Sequence, residues 1–218
     1  IPEASSKQTI IQDFGFGKIT ITYCRPNVKG RVIFGGINPY GQVWRTGANA
    51  ATTITFSENV ILEGHEVPAG TYSLFTIPDK DVWTIILNKT VKQWGAYSYK
   101  QADDFLRFEV KPIYLAEQRE TFTIQFTNVT TKSCDLHLVW DHTAVVIQME
   151  TTDDAQITAN IDELMKGNRK AYYFNAIQYY YENNKDMNKA LAWALEAEKA
   201  DPGAWYKLWE ARIRLRMG

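Results

Sequence analysis

Between Lys18 and Glu150, apolar side chains tend to fall on every second residue. Successive side chains of a strand point to opposite faces, so this period buries one side of each segment and wets the other. It predicts strands at residues 18–24, 31–34, 52–56, 59–62, 71–77, 82–88, 105–111, 121–127, 133–140 and 143–150. The cleanest is Thr121-Phe122-Thr123-Ile124-Gln125-Phe126-Thr127, where aromatic or branched residues alternate with polar ones. Turn formers fall between the runs. Glu63-Gly64-His65-Glu66 can close a hairpin on Val60-Ile61-Leu62, and Pro68-Ala69-Gly70 launches the next strand. Pro78-Asp79-Lys80-Asp81 separates that strand from its successor, and Asp141-His142 joins the last two runs. Short strands with tight turns and no intervening helix predict a mainly β, antiparallel sandwich, jelly-roll-like or immunoglobulin-like, over residues 1–150.

Near residue 151 the period changes. Ile157, Ile161 and Leu164 recur at helical spacing behind Asp153 and Asp154, and Gly167 can end the helix. Three more helical stretches follow at about 169–183, 186–200 and 204–217, so residues 151–218 are read as an all-α tail. Ala190, Ala194 and Ala197 share one face, where small side chains let a neighbouring helix approach, and Asp201-Pro202 breaks the run. Tyr173, Ile177 and Tyr180 suit an inner face, which leaves Tyr172 and Tyr179 available for contact, and docking on the β domain explains the surplus of rings more cheaply than a groove for a partner peptide. The Arg212, Arg214 and Arg216 run suits a solvated helix end.

Net charge is −1 with acids and bases interspersed, so no basic stripe marks the chain as a nucleic-acid binder. No apolar run approaches the roughly 20 residues that span a bilayer. The polar lead Pro2-Glu3-Ala4-Ser5-Ser6-Lys7 reads like a mature end after a removed export signal, which predicts the periplasm or cell envelope. The alternation around the two cysteines sets Cys24 with the outward threonines and Cys134 on the leucine side of its strand, which is poor geometry for a bridge. Two free thiols are expected.

Four stretches carry a resemblance. They are Arg25-Pro26-Asn27-Val28-Lys29-Gly30-Arg31; Pro39-Tyr40-Gly41-Gln42-Val43-Trp44-Arg45-Thr46-Gly47-Ala48-Asn49; Pro68 to Pro78; and Trp94-Gly95-Ala96-Tyr97. Together they resemble the domain-of-unknown-function family numbered twenty-nine eleven, found mostly in Bacteroidetes and often exported, over about residues 5–150. The resemblance brings no activity with it. The tail segment Ala190…Ala194…Ala197…Asp201-Pro202, with Tyr181 at an aromatic position before it, resembles one tetratricopeptide repeat. Gln178 stands where that family prefers Gly, and an ordinary helical hairpin is the competing reading.

The chemistry-bearing candidates are few. Trp44, Arg45, Thr46 and Asn49 can offer a stacking face and planar hydrogen bonding to a carboxylate, a sugar or a peptide end, with Arg25 and Arg31 adding charge. In the competing reading, Arg45 and Asn49 tie a loop to backbone carbonyls and Trp44 is core. Trp94 and Tyr97 lie in an aromatic loop that either presents a ligand platform or plugs one end of the sandwich. Asp135 and His137 share a strand face near Asp141 and His142, but the third histidine, His65, lies in a distant hairpin, so no metal site is read, and no cofactor is expected. There is no Gly-x-Ser-x-Gly elbow to mark a nucleophile. The leading expectation is a non-catalytic module for a small polar or glycan-like ligand. The alternatives are a scaffold binding a protein partner through the tail, or a hydrolase with a site assembled from several strands.

Overall fold

A computed structural model describes residues 2–167 and 169–218, and among these the alternating segments form ten antiparallel strands. They are β1 (Ser6–Phe14), β2 (Gly17–Arg25), β3 (Thr52–Phe56), β4 (Val60–Leu62), β5 (His65–Val67), β6 (Gly70–Ile77), β7 (Trp83–Asn88), β8 (Asp104–Val110), β9 (Ile113–Thr127) and β10 (Ser133–Thr151). One sheet has the order β1-β2-β3-β6-β7-β8 and the other β5-β4-β10-β9. Ile19, Ile21 and Tyr23 of β2 and Ile54 and Phe56 of β3 share one buried cluster with Phe122, Ile124, Leu136, Leu138 and Ile147 of the second sheet. Two inner faces meeting over a common apolar layer make a sandwich.

The central strands β6 and β7 are buried on both faces. Phe75 and Ile86 point away from the main core and form a second cluster with Ala51, covered by Val43, Ala96 and Tyr99. The segment after β7 therefore folds back over the outer face of the six-stranded sheet. Asn88, fully buried, holds it there. Its Nδ2 donates to the Lys100 carbonyl and to Asp104 Oδ1, and its Oδ1 accepts from Thr90 N and Gln93 Nε2. Ser73 Oγ donates to the carbonyls of Thr90 and Val91.

Several segments differ from the expected pattern. Residues 31–34 are not a strand, because their backbone closes local turns: Arg31 N donates to Val28 O and Ile37 N to Val32 O. β1 is an edge strand whose outward side is wet, so its alternation is weak in the sequence. β9 begins at Ile113 rather than 121; residues 113–120 are mostly exposed and carry no alternation that would mark them as strand. The expected turn at Asp141-His142 is a bulge within one strand. Asp141 takes a φ of 53°, and pairing with β9 resumes beyond it. The Glu63-Gly64 turn, with φ of 45° and 80°, closes β4 onto β5 as a two-residue hairpin.

The chain divides into two compact units, Ile1–Thr152 and Asp153–Gly218. The second contains α1 (Asp154–Leu164), α2 (Tyr173–Glu182), α3 (Met187–Ala200) and α4 (Ala204–Met217). Asp186 caps α3 by accepting from the backbone N–H groups of Asn188 and Lys189. Tyr173, Ile177, Tyr180, Ala190, Ala194, Ala197, Trp209 and Ile213 form its core. Tyr179, expected at the surface, is buried because its hydroxyl donates to Asp154 Oδ1 at the start of α1. Arg216 lies over the Tyr181 ring at 3.7 Å, and Arg214 pairs with Glu210.

Candidate functional site

Chain connectivity brings three of the four quoted stretches together. Trp44 and Thr76 exchange backbone hydrogen bonds, so the chain runs beside β6 where β3 has already ended. Gly41 N donates to Pro78 O, and Gly95 N donates to Asn49 O. The residues 39–51 and 91–97 thus form neighbouring loops, with Val43, Ala51 and Ala96 over the outer face of the six-stranded sheet and Trp44 turned into the main core.

Between these loops and β1–β3 lies a cleft of 530 Å³. Its sheet side carries Lys7, Thr22, Cys24 and Thr53, and its loop side carries Asn49, Ala51, Val91, Gln93 and Trp94. Asn49 holds a φ of 59°, which asparagine tolerates, and its Nδ2 donates to Glu3 Oε2 at 2.7 Å. Ala51 N donates to the Gln93 carbonyl. Gln93 is 6% exposed, and its Nε2 donates to Asn88 Oδ1 and Thr90 O. Its Oε1 is buried without a hydrogen-bond partner. Trp94 is 64% exposed at the rim, so its indole face is available to solvent. Lys7, Lys92 and Glu3 leave the cleft with charges of both signs.

The eight residues singled out in the sequence go to different places. Asn49 and Trp94 line the cleft. Trp44, Arg45 and Tyr97 line a separate pocket of 260 Å³. Trp44 is nonetheless core: it stacks on Trp140 at 5.6 Å, and its Nε1 donates to Gly47 O. Thr46 is buried at a φ of 53°, with its hydroxyl donating to Thr76 Oγ1 and its carbonyl accepting from Thr52 Oγ1. Arg25 and Arg31 lie outside both pockets. Arg25 ties β2 to β9 by donating to Phe122 O and Thr123 Oγ1, and Arg31 closes its own turn on Val28 O. Sequence reasoning missed Lys7, Cys24 and Gln93 as wall residues. The one local signal was the polar Asn88 directly after the apolar run Ile85-Ile86-Leu87.

Asp135, His137, Asp141 and His142 are engaged separately. Asp135 accepts from Asn128, Asp141 accepts from Gln118, His137 Nε2 bonds Thr127 Oγ1, and His142 Nδ1 bonds Leu115 O. Among the described residues no group of three or more such side chains is placed to hold a metal ion. Both cysteines are free and buried. Cys134 sits in the main core, where burial and then Asp135 push its thiol up to about 12.

Two packed antiparallel sheets with a ligand-sized cleft on one outer face place the first unit among the β-sandwich domains. Within that class the chain belongs to the family described as Protein of unknown function (DUF2911), whose model matches residues 5–149. No curated protein and no solved structure gives a significant match.

Proposed function

We propose that the β unit is a non-catalytic binding module of the cell envelope for a small polar, glycan-like ligand. The observation that carries this reading is the 530 Å³ cleft in which exposed Trp94 stands beside the partnerless Gln93 carbonyl. An indole face suits the apolar face of a pyranose, and a buried carbonyl without a donor is satisfied by a ligand N–H or O–H. The lining holds one carboxylate, Glu3, already accepting from Asn49, whereas glycoside hydrolysis uses two flanking the bond. Retention of a ligand fits this wall better than turnover.

Titration with N-acetylglucosamine oligosaccharides, followed by tryptophan fluorescence, tests the reading. Trp94→Ala is expected to weaken binding about tenfold or more with the fold intact. Bound sugar is also expected to slow alkylation of Cys24, which lines the cleft, and to leave Cys134 unaffected. Equal affinity in a folded Trp94→Ala, Gln93→Leu double variant rejects the site. The envelope location rests on the habit of the family and is checked by cell fractionation.

A second reading, an interaction role for a tetratricopeptide-like tail, is favoured by the exposed ring pair Phe174 and Trp205, 5.8 Å apart. Replacing both with serine is expected to release a co-purifying partner without lowering the helix content. Retention of that partner counts against it.

A further inference from the structure

The loop Arg31–Trp44 satisfies its backbone closely. Gly35 N donates to Asn38 O, Asn38 N and Gly36 N to Ile33 O, Gln42 N to Pro39 O, and Trp44 N to Thr76 O. A Cβ at Gly36 would come within 2.2 Å of Val32 O, so the turn that carries Asn38 is tightly wound. Against this background two side-chain donors stand out. Asn38 Nδ2 and Arg45 Nε are both buried and both lack a hydrogen-bond partner. Both residues line the same 260 Å³ pocket, whose other walls are apolar or aromatic (Ile37, Val43, Trp44 and Tyr97 among them) except for the neutral amide of Gln42. No acidic residue belongs to that lining.

A guanidinium N–H removed from water without an acceptor is costly, because the group cannot shed its charge. Two orphan donors, one of them cationic, on residues that line one concavity are complementary to an anion that accepts from both. The planar fork of an arginine matches a carboxylate, and the apolar walls call for a hydrocarbon body behind it. Phosphate has the charge but no apolar surface for Ile37 and Val43. We infer that this pocket binds the carboxylate of a small organic acid with a short apolar body. The carboxylate accepts from Arg45 and Asn38, and Tyr97, 86% exposed, stands at its mouth. None of its lining residues belongs to the Trp94 cleft, so this site stands independently of the proposed glycan site.

The test uses the full chain and titration calorimetry with N-acetylalanine, N-acetylalaninamide and inorganic phosphate. N-acetylalanine is expected to bind saturably, and the amide and phosphate at least tenfold more weakly. Arg45→Lys keeps the charge but loses the fork, and Asn38→Asp keeps the volume but opposes the anion. Each is expected to weaken N-acetylalanine at least tenfold while Trp94→Ala leaves it unchanged. Equal binding of the amide overturns the carboxylate assignment, and preferential binding of phosphate overturns the organic-acid assignment. Absence of saturable binding, or unchanged affinity in the folded Asn38→Asp variant, overturns the site.

Discussion

At the residue scale, the buried amide of Asn88 anchors the candidate site from outside its lining. Its four hydrogen bonds hold the segment that carries Gln93 and Trp94 against the sheet. Asn88→Leu strands those partners in the interior, and a loss of about 3 kcal/mol is expected from urea unfolding. Tyr99 works beside it: its hydroxyl donates to Asp104 Oδ2 at 2.6 Å, and burial with that carboxylate pushes its pKa up to about 12. A phenol raised in the folded state contributes stability that is complete below its ordinary value near 10 and lost as pH rises towards 12. The β unit should weaken over that interval, and Tyr99→Phe should flatten the dependence.

At the element scale, the long excursion between β2 and β3 decides which side chains line the two pockets beside the six-stranded sheet. It first pairs with the other sheet, where Val28 N donates to Glu120 O and Phe122 N to Pro26 O. It then plugs the core with Phe34 and Trp44, packed against Trp83 and Trp140. Gly36→Ala drives a methyl into a backbone carbonyl, so a destabilisation of about 2 kcal/mol is expected from thermal unfolding. Strands buried on one face were readable because alternation records that burial. β1 and the first half of β9 were not, since an exposed segment carries no such record. The bulge at Asp141 looked like a turn because both use a residue at positive φ.

At the scale of the whole molecule, each of the two units has its own buried cluster. Residues 1–152 expressed alone are therefore expected to unfold in one cooperative transition, read by near-ultraviolet circular dichroism. The helical unit should respond to pH at both extremes. Hydrogen bonds from Lys189 and Tyr180 hold the Asp162 carboxyl below its ordinary value of 3.8, so that contribution is present above about pH 4 and lost in acid. Burial raises Tyr179 and Tyr180, so theirs is present below about pH 10 and lost in alkali. Helix signal at 222 nm against pH, with Asp162→Asn losing the acid limb, checks the assignment.

The amino-acid order by itself determined the antiparallel strands that bury one face, apart from β1 and the start of β9, together with the change to helices near residue 151 and the unpaired cysteines. All three are local consequences of which side chains can face water. It also marked Arg45, Asn49, Trp94 and Tyr97 as chemistry-bearing residues. Only the tertiary structure divided them between two pockets and set Lys7, Gln93 and Asn38 beside them, while committing Trp44 and Thr46 to the interior. The reason is physical: periodicity reports which face of one segment is wet, whereas a pocket depends on loops far apart in the chain meeting over a sheet.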